Sequence, residues 1–302
     1  MATRTTTSVL AFMNAQIKQL QQNNRFGTAL NYRKTMLSFT QYLAGKDINF
    51  NKISDNLIQN YNAYLLQRGM TRNTTSFYMR TLRAIYNKAI KQKLTSQSFP
   101  FSDVYTGIDR TRKRAIDEKT ISQLFKLHLT PNSPLALARD LFIFSYCTRG
   151  MAFADMAYLK KSSLYNGYIS YSRRKTGQLL TIKAEPIIEE IIARYNNSST
   201  PYLFPIITST NPQIAYAQYQ QGINVYNRHL GTLSKMLSSS TKLTSYTARH
   251  SWATAARNHN IPISVISAGM GHTSEQTTRI YLASLENSII DDANRGILEG
   301  LK

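Results

Sequence analysis

Four short stretches, far apart in the chain, each offer a cationic side chain among polar or turn-forming neighbours. They are Cys147-Thr148-Arg149-Gly150-Met151, Arg173-Arg174-Lys175-Thr176-Gly177, Tyr246-Thr247-Ala248-Arg249-His250 and Gly271-His272, the last followed nine residues on by Tyr281. The sequence has no Gly-x-x-x-x-Gly-Lys-Ser/Thr loop, no Gly-x-Gly-x-x-Gly after a strand and no His-Glu-x-x-His. Its histidines (His128, His229, His250, His259, His272) are scattered without ligand spacing, and Asp and Glu together number only 16. A metal-dependent nuclease needs clustered acidic ligands and is a poor fit, so neither a metal nor a cofactor is expected. Any phosphoryl chemistry in this chain has to use organic cations.

The elements that must hold these groups can be read from hydrophobic period. Residues from about Val9 to Asn23, Thr28 to Leu43, Ser54 to Arg68 and Thr74 to Lys93 show apolar residues at helical spacing, separated by turn-like pieces such as Gly45-Lys46-Asp47 and Gly69-Met70-Thr71. In the fourth, Phe77, Leu82, Ile85 and Ala89 form an inner stripe, while Arg80, Arg83, Asn87 and Lys91 line another face. Between Thr95 and Lys119 the helical period is lost, and Pro100, Gly107 and the run Arg110-Thr-Arg112-Lys113-Arg114 read as a basic linker. A second helical region opens at Asp117, whose position before Ile121, Leu124 and Leu127 suits a cap. Leu135 to Leu159 is helical and apolar. Tyr165-Asn166-Gly167-Tyr168 reads as a hairpin turn, with short strands at Tyr168 to Ser172 and Leu179 to Ile182 flanking Lys175-Thr176-Gly177. Helices then return. The expected fold is mostly α with a small β-hairpin or sheet insertion, in two domains: 1–110, with a basic linker to about 116, and 117–302, ending in a tail helix.

Charge narrows the partner. Lys and Arg number 37, for a formal net charge of +21, which in a chain of 302 residues points to a polyanion and first to nucleic acid. The excess is uneven: residues 1–114 hold 18 basic and 4 acidic side chains, so the early helices carry most of it. Ordinary solvated faces mix both signs. Cys147 is the sole cysteine, which rules out an internal disulfide and suits a reducing compartment. No run reaches 18 apolar residues, and Met-Ala-Thr-Arg-Thr-Thr-Thr lacks the apolar core of a secretory signal, so a cytoplasmic protein without a membrane partner is expected.

The order and spacing of Arg149, Lys175, Arg249, His272 and Tyr281 resemble the tyrosine recombinases of the phage-integrase family. The pattern there is an arginine near the start of the catalytic domain, a lysine in a β-hairpin, His-x-x-Arg, a Gly-His or Gly-Trp corner and a tyrosine about nine residues later. The resemblance spans essentially the whole chain. It implies a helical N-terminal core-binding (SAM-like) domain and a tyrosine-recombinase catalytic domain, closing as a C-shaped clamp around double-stranded DNA. It further implies site-specific recombination through a 3′-phosphotyrosyl intermediate, and a tetrameric synapse in which the C-terminal helix is exchanged between protomers. The matching feature is the apolar stripe Ile289, Ile290, Ala293, Ile297 and Leu298.

On this resemblance Tyr281 is the nucleophile, and Arg149 and Arg249 hold the non-bridging oxygens, because guanidinium forks bind such oxygens bidentately and stay charged. Lys175 is the general acid for the leaving 5′ oxygen, and His272 donates to the phosphate or shares proton handling. An aryl phosphate ester conserves the energy of the broken bond, so neither ATP nor a metal is needed. The chain departs from the pattern at Tyr246, where the family has histidine. A phenol can still donate to a phosphate oxygen but is a weaker base than imidazole.

Other basic residues are candidate DNA contacts: Arg80, Arg83 and Lys91 on the fourth helix, Arg112, Lys113 and Arg114 in the linker, and Arg173 and Arg174 beside Lys175. Arg173 and Arg174 are equally well read as ordinary hairpin charges. Asp155 reads as a structural or orienting partner rather than an acid, and His250 and Trp252 as packing residues or supports of the site rather than catalysts. Two rival readings are a non-catalytic DNA-binding or architectural protein of the same fold, and a topoisomerase using the same phosphotyrosine chemistry.

Overall fold

In the computed structural model, the described residues are 8–109, 115–195, 199–237 and 241–282, with 294, 298 and 299 beyond them, and only the backbone at 280 and 281. The chain divides into two units, Met1–Arg110 and Thr111–Lys302.

The first unit contains α1 (Val9–Gln22), α2 (Phe26–Tyr42), α3 (Asp55–Gln67) and α4 (Arg72–Lys91). Three of these start on a hydroxyl cap: Ser8, Ser54 and Thr71 accept the amides of Ala11, Leu57 and Thr74. The core is rich in aromatics, with Phe39 set edge-on to Tyr61 at 5.1 Å and Phe12 edge-on to Phe50 at 5.4 Å. On α4, Leu82, Ile85 and Ala89 are buried as the stripe requires, joined by Met79 and Tyr86, whereas Phe77 is only half-buried.

Residues 95–109 differ from the slack linker their lack of period suggests. Phe101 and Val104 enter the core, the Tyr86 hydroxyl donates to Ser96 O, Ser76 Oγ donates to Gly107 O, and Asn73 bonds Asp109 in both directions. Satisfied backbone groups and buried apolar anchors make this stretch part of the domain. Arg112, Lys113 and Arg114 lie outside the described residues.

The second unit is built around α6 (Pro134–Cys147), on which Leu141, Phe142, Ile143 and Phe144 are all buried in succession. Against it pack α5 (Glu118–Phe125), whose Asp117 cap accepts the Thr120 amide, α8 (Pro186–Tyr195), α9 (Pro212–Met236) and α10 (Thr247–Asn258). A buried carboxylate, Asp140, is held by Arg139, Arg194 and the Tyr195 hydroxyl.

The apolar run from Leu135 to Leu159 is not one helix. It breaks after Cys147 and resumes as the short α7 (Phe153–Ala157), because Arg149 and Gly150 both take left-handed backbone angles, φ 59° and 75°. The sheet is antiparallel, with β1 (Leu164–Tyr165), β2 (Tyr168–Ser172) and β3 (Leu179–Lys183) in sequence order. Asn166 and Gly167 make the first turn with positive φ, as a tight hairpin requires. Ile169 faces Ile182 across the β2–β3 pair, and both are buried under the helices. The remaining elements are α11 (Ile263–Gly269) and α12 (Glu275–Leu282).

Candidate active site

Two helix ends and one hairpin loop assemble the site. The first end is that of α6. Its cap is Thr148, Arg149 follows in the left-handed conformation, and Gly150 N–H closes back on Ser145 O at 2.8 Å. This is the helix-ending motif in which the left-handed position ordinarily belongs to glycine. Here an arginine occupies it, at the backbone cost a side chain incurs there.

The second end is that of α11, and it has the same form. Gly271 (φ 62°) donates to Ala268 O at 2.9 Å and His272 N–H to Ser267 O at 3.0 Å, so the imidazole leaves the chain where the helix stops. Arg149 is carried to this second end: its Cδ lies 3.5 Å from the point a β-carbon on Gly269 would occupy.

Arg249 joins the two ends. It sits on α10, is 5% exposed, and spends one guanidinium nitrogen on each side. Nη1 donates to Gly150 O at 2.7 Å, and Nη2 donates to Met270 O at 2.7 Å and meets His272 Nε2 at 3.0 Å. Gly150 is close-packed against this arginine. A β-carbon there would stand 2.8 Å from Arg249 Cα.

The hairpin loop between β2 and β3 supplies the third side. Arg173, expected among the DNA contacts, is 7% exposed and instead donates through Nη1 to Gly271 O. Its Cδ and the Leu180 methyls fill the space where Gly271 would carry a side chain. Buried beneath the Gly-His corner, it anchors the loop from inside. Arg174 is exposed, its guanidinium 3.6 Å from the Tyr158 ring centre, and its amide donates to Asp155 at 2.8 Å. Lys175 is exposed at the loop tip.

The field of the site is strongly positive. Burial, then the charges of Arg249, Arg173 and Lys175, push the His272 pKa down to about 4, so this imidazole is neutral at pH 7. Asp155, 6% exposed, has its pKa raised by burial, against the pull of the Arg174 amide and of Arg173, Arg249 and Arg174. The Tyr171 hydroxyl is raised by burial and lies within the fields of Asp155, Arg249, Arg173 and Arg149. Asp155 is thus a buried carboxylate bound to the loop through the Arg174 amide.

Tyr246 heads α10 one turn before Arg249. Its ring is 53% exposed and tilted against His250, with centroids 6.2 Å apart. Tyr281 is on α12, and its side chain lies outside the described part of the structure. What fixes α12 is described: Thr278 is wholly buried and hydrogen-bonds His272 Nδ1 at 2.8 Å, Leu282 joins a small core with Ala253, Ile266 and Met270, and Arg257 Nη1 donates to Leu282 O at 2.9 Å. Sequence reasoning missed Thr278 and the burial of Arg173. Neither residue type, at a helix start or a hairpin, announces an internal contact.

In the first unit, Arg83 and Lys91 are exposed on α4 and Arg80 is half-buried, while Arg83 Nη1 also donates to Thr106 Oγ1 at 3.0 Å. Of the C-terminal stripe only Leu298 falls among the described residues, where it is exposed. The others lie outside them. Among the described residues no helix is long and apolar enough to cross a membrane.

Comparison with known proteins agrees with this architecture. The chain is 22% identical over 261 residues to the tyrosine recombinase XerD of Shewanella oneidensis, covering 83% of each chain. Among solved structures it resembles a lambda integrase dimer bound to a COC′ core site (TM-score 0.67, 14% identity, 91% of this chain and 95% of that one). It also resembles the Tn1549 transposon integrase in complex with transposon right end DNA (0.65, 16%, 91% and 94%) and the XerH recombinase bound to a palindromic difH substrate (0.62, 15%, 94% of both). Residues 8–104 match the phage integrase SAM-like domain. Residues 114–288, well over half of the sequence and the part that holds every element of the cationic site, match the phage integrase family, and the chain belongs to that family.

Proposed function

We propose that this protein cuts and rejoins duplex DNA at specific sites, with Tyr281 as nucleophile. The observation that carries the reading is the meeting of the α6 end, the α11 end and the β2–β3 loop around Arg249, which concentrates Arg149, Arg249, Lys175 and the neutral His272 in one place. Attack on a phosphodiester adds negative charge to its non-bridging oxygens, and the fixed cations Arg149 and Arg249 are matched to that charge. The phenolic oxygen of Tyr281 bonds to phosphorus and gives its proton to solvent water, the bond to the 5′ oxygen breaks, and Lys175 supplies that oxygen with a proton. Lys175 suits this duty because it is exposed on a loop that is itself pinned by Arg173. Tyr246, at the head of α10, takes a phosphate-binding role by donating its hydroxyl.

Arg80, Arg83, Lys91 and Arg174, with the run Arg112, Lys113 and Arg114, supply phosphate contacts, so binding falls steeply with salt. Recombination proceeds in a DNA-bound tetramer in which the C-terminal segment of one protomer docks on the next, inside the cytoplasm. A chain ending at Asn287 then binds a half-site yet fails to recombine, and full recombination by it removes the exchange from the scheme.

The test of the chemistry is a nicked duplex carrying the site, resolved on a denaturing gel after incubation with wild type and with Tyr281→Phe. A covalent protein–DNA band with wild type alone is expected. A band of equal strength with both proteins assigns the nucleophile elsewhere.

A further inference from the structure

We infer that Thr278 is a positioning residue of the site: its hydroxyl takes the Nδ1–H of His272 and so couples the docking of the Tyr281 helix to the setting of the imidazole against the Arg249 guanidinium. The inference rests on the reading of Arg249 as a phosphate-binding group and of α12 as the nucleophile's helix.

The argument begins with what each partner can do. A guanidinium has only donors. Its contact with His272 Nε2 at 3.0 Å therefore requires a lone pair on that nitrogen. A neutral imidazole with an unprotonated Nε2 carries its hydrogen on Nδ1, and Nδ1 is the atom 2.8 Å from Thr278 Oγ1. The threonine hydroxyl is thus the acceptor for Nδ1–H. Burial and the surrounding cations independently keep this ring neutral. The opposite tautomer places a hydrogen on Nε2 facing a guanidinium N–H, with two donors opposed at hydrogen-bond distance.

Geometry makes the coupling directional. Thr278 has no exposed surface, and its helix is fixed at the far end by Leu282 and by Arg257. Tyr281 follows Thr278 by three residues on that same helix. When α12 is seated, Nδ1–H has its acceptor, Nε2 is held as an acceptor, and Nη2 of Arg249 is held in place between Met270 O and the imidazole. When α12 leaves, Nδ1–H of His272 loses its acceptor, and Arg249 loses a fixed partner. An empty or undocked tyrosine position and a poorly set arginine then occur together, so a half-assembled site does not present a rigid phosphate cradle. The residue that senses the helix is not the nucleophile.

The experiment uses the full chain in three forms: wild type, Thr278→Val, which keeps the shape and removes the hydroxyl, and Thr278→Ser, which keeps the hydroxyl. Nitrogen–proton NMR of histidine-labelled protein at pH 7 reads the tautomer of His272 and the exchange of its Nδ1–H with water, without any DNA. The expected result is an Nδ1–H form in all three proteins, with that proton protected from exchange in wild type and Thr278→Ser and exchanging freely in Thr278→Val. On the nicked duplex, Thr278→Val should form covalent adduct about tenfold more slowly, the loss of one neutral hydrogen bond, with DNA affinity close to wild type and a lower melting temperature, because the buried Nδ1–H loses its acceptor. Thr278→Ser should recover the rate. An Nε2–H form in wild type, or equal protection of Nδ1–H in wild type and Thr278→Val, overturns the inference. Absence of adduct from wild type alongside the expected spectra counts against the recombinase reading and leaves the coupling supported by its NMR signature.

Discussion

Arg249 and Gly150 are in contact in two ways at once: the guanidinium donates to the Gly150 carbonyl at 2.7 Å, and the glycine α-carbon leaves no room for a side chain against the arginine backbone. One helix is thereby locked to the end of another through a functional side chain. Replacing Arg249 by lysine keeps the charge but not the fork, so Gly150 O, Met270 O and His272 cannot all be reached from one ammonium. Arg249→Lys should slow covalent adduct formation on the order of a hundredfold. It should also lower stability by about 1–3 kcal/mol through unsatisfied buried acceptors, read by urea unfolding.

The glycines at the two helix ends should differ from an ordinary turn glycine. Gly167 has φ 73° with open space around it, so Gly167→Ala measures the bare left-handed cost, about 1 kcal/mol. Gly150→Ala and Gly271→Ala add steric overlap, with Arg249 Cα in the first case and with Arg173 Cδ and Leu180 Cδ1 in the second. Losses of about 2–4 kcal/mol are expected for both in urea titrations. Gly150→Ala should be the harsher because its obstacle is backbone.

The stability of the second unit should depend on pH through His272. Its folded pKa of about 4 lies below the ordinary 6.5, so the unfolded chain binds the proton more readily. Stability is therefore full above about 6.5 and is lost as pH falls from there towards 4. Asp155 acts with the opposite sign, since its raised pKa favours protonation in the folded state as the solution is acidified. The clean measurement compares melting temperatures of wild type and His272→Gln at pH 7 and pH 5. The gap between the two proteins should narrow or reverse at the lower pH, and an unchanged gap contradicts a neutral buried imidazole.

Two adjacent arginines should separate by phenotype. Arg174→Ala removes an exposed cation and should reduce DNA affinity across sequences, lowering the salt slope by about one ion, with melting little changed. Arg173→Ala empties a buried contact to Gly271 O and the wall beside Leu180, so it should lower the melting temperature and slow adduct formation together. Equal loss of DNA affinity with unchanged stability for Arg173→Ala would show that it faces the nucleic acid after all.

The helices of the first unit were legible because turn-like pieces and a 3.6-residue apolar period agree along the sequence, as at Gly69-Met70-Thr71 before α4. Residues 95–109 were not legible in the same way. Their anchors, Phe101 and Val104, follow no period, and the hydrogen bonds that tie them to α4 join residues up to 36 positions apart. The break between α6 and α7 was hidden too. An apolar run looks continuous whether it is one helix or two, and a left-handed arginine has no sequence signature comparable to that of a glycine.

By itself the sequence determined the set of cations, their order, the hairpin beneath Lys175 and the helix that carries Tyr281, because residue type and local periodicity are properties of short segments. Only the tertiary structure decided which cation is buried, which proton His272 keeps and which carbonyls Arg249 holds. Those outcomes depend on contacts between residues some hundred positions apart, such as Gly150 with Arg249 and Arg173 with Gly271, and a desolvated charge is set by what surrounds it in space.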